Sequence, residues 1–168
     1  MITLRPLEME DWASVHAYAS LPEVCRHQPW GPNTEEDSRR FTEEAVQAGK
    51  NRFVFAVLLK QKMIGVCEFK LVSPEDQTGE ISYILHPDYW GRNIGSTAAE
   101  TITDYGFQHH HAWRIQATCA PDNKASSRVL EKNGFQYEGR LREVLQLPDG
   151  RRDSLMYSLL RNEWKQQK

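Results

Sequence analysis

The chain has 168 residues, 39% of them hydrophobic and 26% charged, with a formal net charge of −2. That length supports one domain, residues 1–168, which can bury a core without metal or disulfide support. The near-balanced charge leaves no footprint for direct nucleic acid binding or for an anionic membrane. Cys25, Cys67 and Cys119 are dispersed and form no CxxC pair, which argues against a disulfide framework or a zinc site and for reduced thiols in a cytoplasmic protein with no metal. The first residues, MITLRPLEMEDW, turn acidic at once, unlike a signal peptide or anchor, and no stretch reaches transmembrane length.

In chain order, residues 2–5 read as a strand closed by Pro6, and 8–20 as a helix with Trp12, Val15, His16 and Ala19 on one face. Residues 22–32 hold three prolines and Gly31, so they are irregular or at most a helical turn. Thr34 with Asp37 reads as a capping pair for a second helix ending near Gly49. Residues 52–59 and 63–72 form a hairpin across Lys60-Gln61-Lys62, and 73–78 is a loop. Residues 80–85 are a strand, with Ile81, Tyr83 and Leu85 on one face and Glu80, Ser82 and Ile84 on the other. A loop at 86–95 leads into a helix at 96–108. A strand at 113–120 ends at Pro121-Asp122, and a short helix at 124–132 ends at Asn133-Gly134, where Gly134 suits a left-handed cap. Two last strands, 136–147 and 152–160, flank the turn sequence Leu147-Pro148-Asp149-Gly150. The order is mixed α/β, a mostly antiparallel sheet with flanking helices.

The informative segment is GEISYILHPDYWGRNIGSTAAETITDYGF, residues 79–107, a strand, a glycine-containing loop and a helix. The backbone N–H groups of Arg92, Asn93, Ile94, Gly95, Ser96 and Thr97 converge there, where direct hydrogen bonds and the helix dipole favour phosphate. Gly91 and Gly95 permit the turn and a close ligand approach. Neither GxxxxGK[ST] nor GxGxxG occurs, which disfavours a P-loop NTPase and a dinucleotide fold.

This segment resembles the acetyl-CoA-binding motif of the GNAT superfamily of N-acetyltransferases. The family's loop is Gln or Arg, two residues, Gly, one residue, then Gly or Ala; Trp90, Gly91, Arg92, Asn93, Ile94 and Gly95 stand at those positions. Trp90 replaces the usual Gln or Arg, and Asn93 replaces the usual glycine, though Asn tolerates left-handed backbone. Residues 121–143, PDNKASSRVLEKNGFQYEGRLRE, resemble the subgroup that acetylates N-terminal amines of ribosomal proteins, as do 150–164 and the opening 4–11. The resemblance implies a GNAT-like acyl-CoA N-acyltransferase fold and acetyl-CoA as cosubstrate. It implies pantetheine contacts from the backbone of Ile84 and Leu85 and from the Asn123 side chain. It also implies that Ser126 lies near the thioester sulfur, where a hydroxyl can protonate the leaving thiolate. From the bare sequence, Asn123 is an N-cap and Ser126 a helix-surface hydroxyl.

The nucleophile is then the acceptor amine, attacking in a ternary complex. Glu80, at the start of the strand entering the cofactor loop, is the general-base candidate, with Glu68 second. Tyr83 reads as core or cleft lining, Cys119 as a buried inert thiol, and His109, His110 and His111 as a helix end that suits imidazole. Trp30 is a candidate lid, and the resemblance sets the acceptor between the first two helices and the hairpin at 144–155. The acceptor is a peptide N-terminus or a small amine such as a polyamine or antibiotic-like compound, on a monomer or small homo-oligomer. A weakly catalytic acyl-CoA-binding protein is the alternative from another class.

Overall fold

The computed structural model describes residues 1–167. Its strands are β1 (Ile2–Pro6), β2 (Arg52–Leu59), β3 (Lys62–Ser73), β4 (Thr78–Leu85), β5 (Arg114–Cys119), β6 (Gln136–Leu147) and β7 (Gly150–Leu160). Its helices are α1 (Trp12–Ala19), α2 (Pro22–Cys25), α3 (Glu35–Val46), α4 (Ile94–His109), α5 (Lys124–Lys132) and α6 (Arg161–Gln166). The strands form one sheet in the order β1-β2-β3-β4-β5-β7-β6. Neighbours are antiparallel except β4 and β5, which run parallel. This is the α/β architecture with a mixed, mostly antiparallel central sheet that the element order implied.

The alternation of side chains along each strand sends one set to each helical layer. On one face Phe69, Ile81, Ile115 and Leu159 pack with Ile102 and Phe107 of α4 and Leu130 of α5. On the other, Val54, Ala56 and Val66 pack with Val15 and Tyr18 of α1 and Ala45 of α3. Gly106 in α4 and Gly79 in β4 let both backbones close on the Phe69 ring: a Cβ at either position would stand 2.4 or 2.3 Å from that ring.

Local signals explain the start of α3 and the end of α5. Asp37 accepts the Thr34 N–H at 3.0 Å, and Thr34 Oγ1 accepts the Asp37 N–H at 3.1 Å, a reciprocal cap for α3. Gly134, at φ +79°, closes α5, with its N–H on the Glu131 carbonyl and the Phe135 N–H on the Leu130 carbonyl.

The expected helix at 8–20 is instead a 3-10 turn, Met9–Asp11, followed by α1. The Asp11 carboxylate is held by both ends of the Arg5 guanidinium at 2.7 Å and accepts the Glu8 N–H at 2.9 Å, which tightens that turn. The strand expected from residue 80 starts at Thr78, because Thr78 and Gly79 pair with both neighbouring strands. The helix α6, unanticipated in sequence, docks through Trp164, which stacks on Phe107 at 5.0 Å and donates to Asp104 at 2.6 Å.

Candidate active site

The parallel pair β4–β5 is joined only over Thr78–Glu80 and Arg114–Gln116. Beyond that point β4 continues to Leu85 and β5 to Cys119 without pairing, so the sheet forks. The His86 N–H donates to the Ile64 carbonyl at 2.8 Å, which sets the phase of the β3–β4 ladder. In an antiparallel ladder alternate residues turn their polar groups to the partner strand. Ser82 and Ile84 therefore bond toward β3, while Ile81, Tyr83 and Leu85 direct N–H and C=O into the fork. Of the two backbone contacts expected from residues 84 and 85, Leu85 faces the fork and Ile84 offers only its side chain. A groove of about 1370 Å³ runs through the fork and is lined from both faces of the sheet.

On the α4 side the strand leads into a 3-10 turn, Pro87–Tyr89, and then a loop. Trp90 Nε1 donates to the Leu85 carbonyl at 2.9 Å and pins this loop to the strand. Gly91 has φ +71° and Asn93 φ +63°. Asn93 is thus the left-handed N-cap of α4, the conformation that glycine usually supplies. Lys132 Nζ, from α5, donates to Asn93 Oδ1 and adds a positive charge beside the loop. The first-turn amides of Ile94, Gly95 and Ser96 have no partner within an α-helix. The Thr97 amide instead donates to the Asn93 carbonyl at 3.2 Å, so it leaves the expected donor set. Ser96 Oγ accepts from Asn133 at 3.1 Å, so its side chain ties α4 to the end of α5. Arg92 is exposed, its guanidinium 5.9 Å from the Tyr89 ring.

At the start of α5, Asn123 Oδ1 accepts the Ser126 N–H at 3.1 Å, the capping role expected of it, and the residue lines the groove. Ser126 Oγ lies 3.1 Å from the Tyr83 hydroxyl. Tyr83 was legible only as core or cleft lining; its place in a hydroxyl pair follows from its odd position on β4, under α5. Burial pushes the Tyr83 phenol well above its usual range, so it stays protonated. Cys119 Sγ lies 3.4 Å from Ser127 Oγ, and burial likewise raises the thiol.

Glu80 stands where the ladder ends, on the opposite face of β4 from Tyr83. Its Oε2 accepts from Gln116 Nε2 at 3.0 Å, and it is half-buried. Glu68 is engaged by Arg52 at 2.9 and 3.1 Å, so Glu80 is the more available of the two carboxylates. On this face the groove is walled by α1, α3 and the segment at 22–32, with Trp30 among its lining. His27 Nδ1 approaches Asp122 Oδ1 at 3.3 Å and ties that segment to the turn before α5. His110 packs on Phe53 at 4.1 Å and so serves the aromatic core, while His109 and His111 are exposed. No group of three or more metal-ligating side chains occurs among the described residues.

A forked sheet with a helix N-terminus at one branch and a hydroxyl pair at the other has a shape and free amides that suit a thin, phosphate-bearing molecule. The sequence matches the acetyltransferase (GNAT) domain family over residues 1–136. The chain belongs to this family, and with it to the enzymes that carry an acetyl group from acetyl-CoA to an amine. It is 33% identical to the uncharacterized N-acetyltransferase YnaD of Bacillus subtilis, over 97% of this chain and 95% of that one. A GNAT-family acetyltransferase structure from Bacillus anthracis superposes with a TM-score of 0.87, at 31% identity and 96% coverage of both chains. Two Escherichia coli relatives carry acceptor names. The ribosomal-protein-serine acetyltransferase is 26% identical, covering 90% of this chain and 91% of its own. The spermidine N(1)-acetyltransferase is 27% identical, covering 83% and 75%.

Proposed function

We propose that the protein acetylates the N-terminal α-amine of a peptide or protein by direct attack of the amine on bound acetyl-CoA. The observation that carries this reading is the single groove through the β4–β5 fork. It opens to a phosphate-type helix N-terminus on one face and to a carboxylate on the other. The diphosphate sits on the amides of Ile94, Gly95 and Ser96, with Asn93 holding the loop and Lys132 adding charge. The pantetheine arm runs beside Leu85 and Tyr83 and meets the Asn123 amide, which brings the thioester to the Tyr83–Ser126 pair.

The amine enters from the α1–α3 face. Glu80 and Tyr83 are three residues apart on β4, about 10 Å at the rise of a strand, and on opposite faces. Glu80 therefore takes the ammonium proton through water. The neutral amine adds to the thioester carbonyl, the C–S bond breaks, and the departing thiolate takes a proton from Ser126, backed by Tyr83; the acylated nitrogen gives its second proton to water, and water returns one to the Ser126 oxygen. The three cysteines are buried free thiols, which fits a reducing, cytoplasmic setting.

A small polyamine acceptor is the second reading; the carboxylates Glu23, Glu44, Glu68 and Glu80 in the groove lining favour it. The deciding experiment follows thiol release from acetyl-CoA with N-terminal peptides and with spermidine. Faster release with peptides supports the proposal. Preference for spermidine transfers the assignment to the second reading, and binding without release with any amine would leave only an acyl-CoA-binding protein.

A further inference from the structure

Most arginines of the chain are accounted for. Arg5, Arg40, Arg52, Arg114 and Arg140 pair with carboxylates. Arg161 donates to the Phe107 and Ala112 carbonyls, Arg151 to the Glu143 carbonyl, and Arg39 stacks on Trp12. Arg26, Arg128 and Arg142 are exposed to water. Arg152 fits none of these groups. It is partly buried, it lines the groove, and its Nε is fully buried with no hydrogen-bond partner among the described residues. A buried N–H left unpaired is costly, and one belonging to a guanidinium more so.

Strand geometry fixes the face of the sheet that Arg152 occupies. Both register shifts in the β6–β7 pair fall in β6: Glu138 is an extra residue between Tyr137 and Gly139, and residues 142–144 oppose Asp153 alone, with Glu143 at φ +51°. β7 therefore alternates regularly, and Arg152 shares a face with Ser154, Met156 and Ser158. Ser158 is opposite Gln116, the residue that donates to Glu80, so Arg152 lies on the acceptor face. The adjacent acid, Asp153, is on the other face and already bound to Arg140 and the Glu143 N–H, so it cannot serve Arg152. Leu155 is opposite Cys119, level with the thioester end of the groove. Arg152 is three residues further along, about 10 Å by strand rise.

We propose that Arg152 is the anion-binding group of the acceptor subsite, so that the acceptor is an amine bearing a carboxylate roughly 10 Å from its nucleophilic nitrogen. The inference rests on the acetyltransferase reading of this groove and narrows its substrate. A planar guanidinium matches a carboxylate through two parallel hydrogen bonds, whereas a polyamine, cationic along its length, is repelled at this position. An acidic side chain near a peptide N-terminus and the carboxylate of a small amino acid supply the same chemistry.

The test is a panel of matched acceptors. It comprises Ser-Ala-Glu-Ala-amide against Ser-Ala-Gln-Ala-amide, 6-aminohexanoate against its amide, and spermidine, each with the parent enzyme, Arg152→Gln and Arg152→Lys. The expected result is a charged-over-neutral preference in kcat/KM of about 10- to 100-fold. It should be carried by KM, lost in Arg152→Gln and partly kept in Arg152→Lys, with the KM for acetyl-CoA unchanged as the control for folding. The pair showing the preference tells peptide from small amino acid. Equal use of charged and neutral acceptors by the parent, or a preference that survives Arg152→Gln, overturns the subsite while leaving the enzyme reading intact. Absence of thiol release with every acceptor overturns both.

Discussion

Gly95 offers the sharpest perturbation of the cofactor site, because the protein itself has room for a larger residue there. A Cβ at position 95 would lie 3.8 Å from Leu85 Cδ1 and 3.8 Å from Val129 Cγ2, ordinary contacts rather than a clash. The residue sits in the first turn of α4, where valine is no worse a helix former than glycine. Gly95→Val should therefore melt at or near the parent temperature. Its branched methyl groups, however, project into the groove that the diphosphate is inferred to fill. Displacing the diphosphate from the Gly95 and Ser96 amides forfeits two charge-assisted hydrogen bonds, about 1.5–3 kcal/mol each. Together that is about 3–6 kcal/mol, or roughly a 10²- to 10⁴-fold rise in Kd. Calorimetric titration with acetyl-CoA, beside a thermal melt, reads both quantities. A variant that melts like the parent and binds acetyl-CoA with a Kd within about twofold of it would place the phosphates elsewhere and refute the assignment of this loop.

Three further outcomes are expected. Ser126→Ala should lower kcat about 10- to 100-fold with little change in acetyl-CoA affinity, because the Tyr83 hydroxyl remains to protonate the thiolate; adding Tyr83→Phe should bring the loss to about 10²- to 10⁴-fold in steady-state assays. Cys119→Ala should keep most activity, since burial holds the thiol protonated and a protonated thiol is a poor nucleophile. The Arg114 guanidinium and Ser158 hydroxyl hold the Glu138 carboxyl at about 2, down from 4.5. A depressed carboxyl stabilises the fold above its unfolded pKa. Glu138→Gln should thus be less stable than the parent near neutrality, with the gap closing as pH falls from 4.5 toward 2; urea melts across that range check it.

Much of the fold was legible because short-range chemistry announced it. The Thr34–Asp37 cap, the Gly134 helix end and the alternation of residues 80–85 all reappear as read, since each depends on neighbours within a few positions. The 3-10 turn at Met9–Asp11 was not legible, because it is set by Arg5 acting across a turn. The helix α6 was missed because its apolar anchor, Trp164, is isolated in a polar run and acts through Phe107, far away in sequence. The same divide runs through the site. The turn at 91–93 that enters α4 could be found from its glycine and its position before a helix, and Asn93 does occupy the left-handed conformation its identity permits. The Tyr83–Ser126 pair and the Arg152 donor depend on residues 43 positions apart, or on which face of β7 looks into the groove. No local pattern carries that information.

Two-substrate initial-rate kinetics, joined to intact-protein mass spectrometry after exposure to acetyl-CoA alone, test direct transfer across the fork most closely. Intersecting double-reciprocal lines and an unmodified enzyme mass are the predicted results. Parallel lines with an enzyme heavier by one acetyl group, which then passes that group to added amine at a competent rate, would contradict direct transfer and make Cys119 the nucleophile.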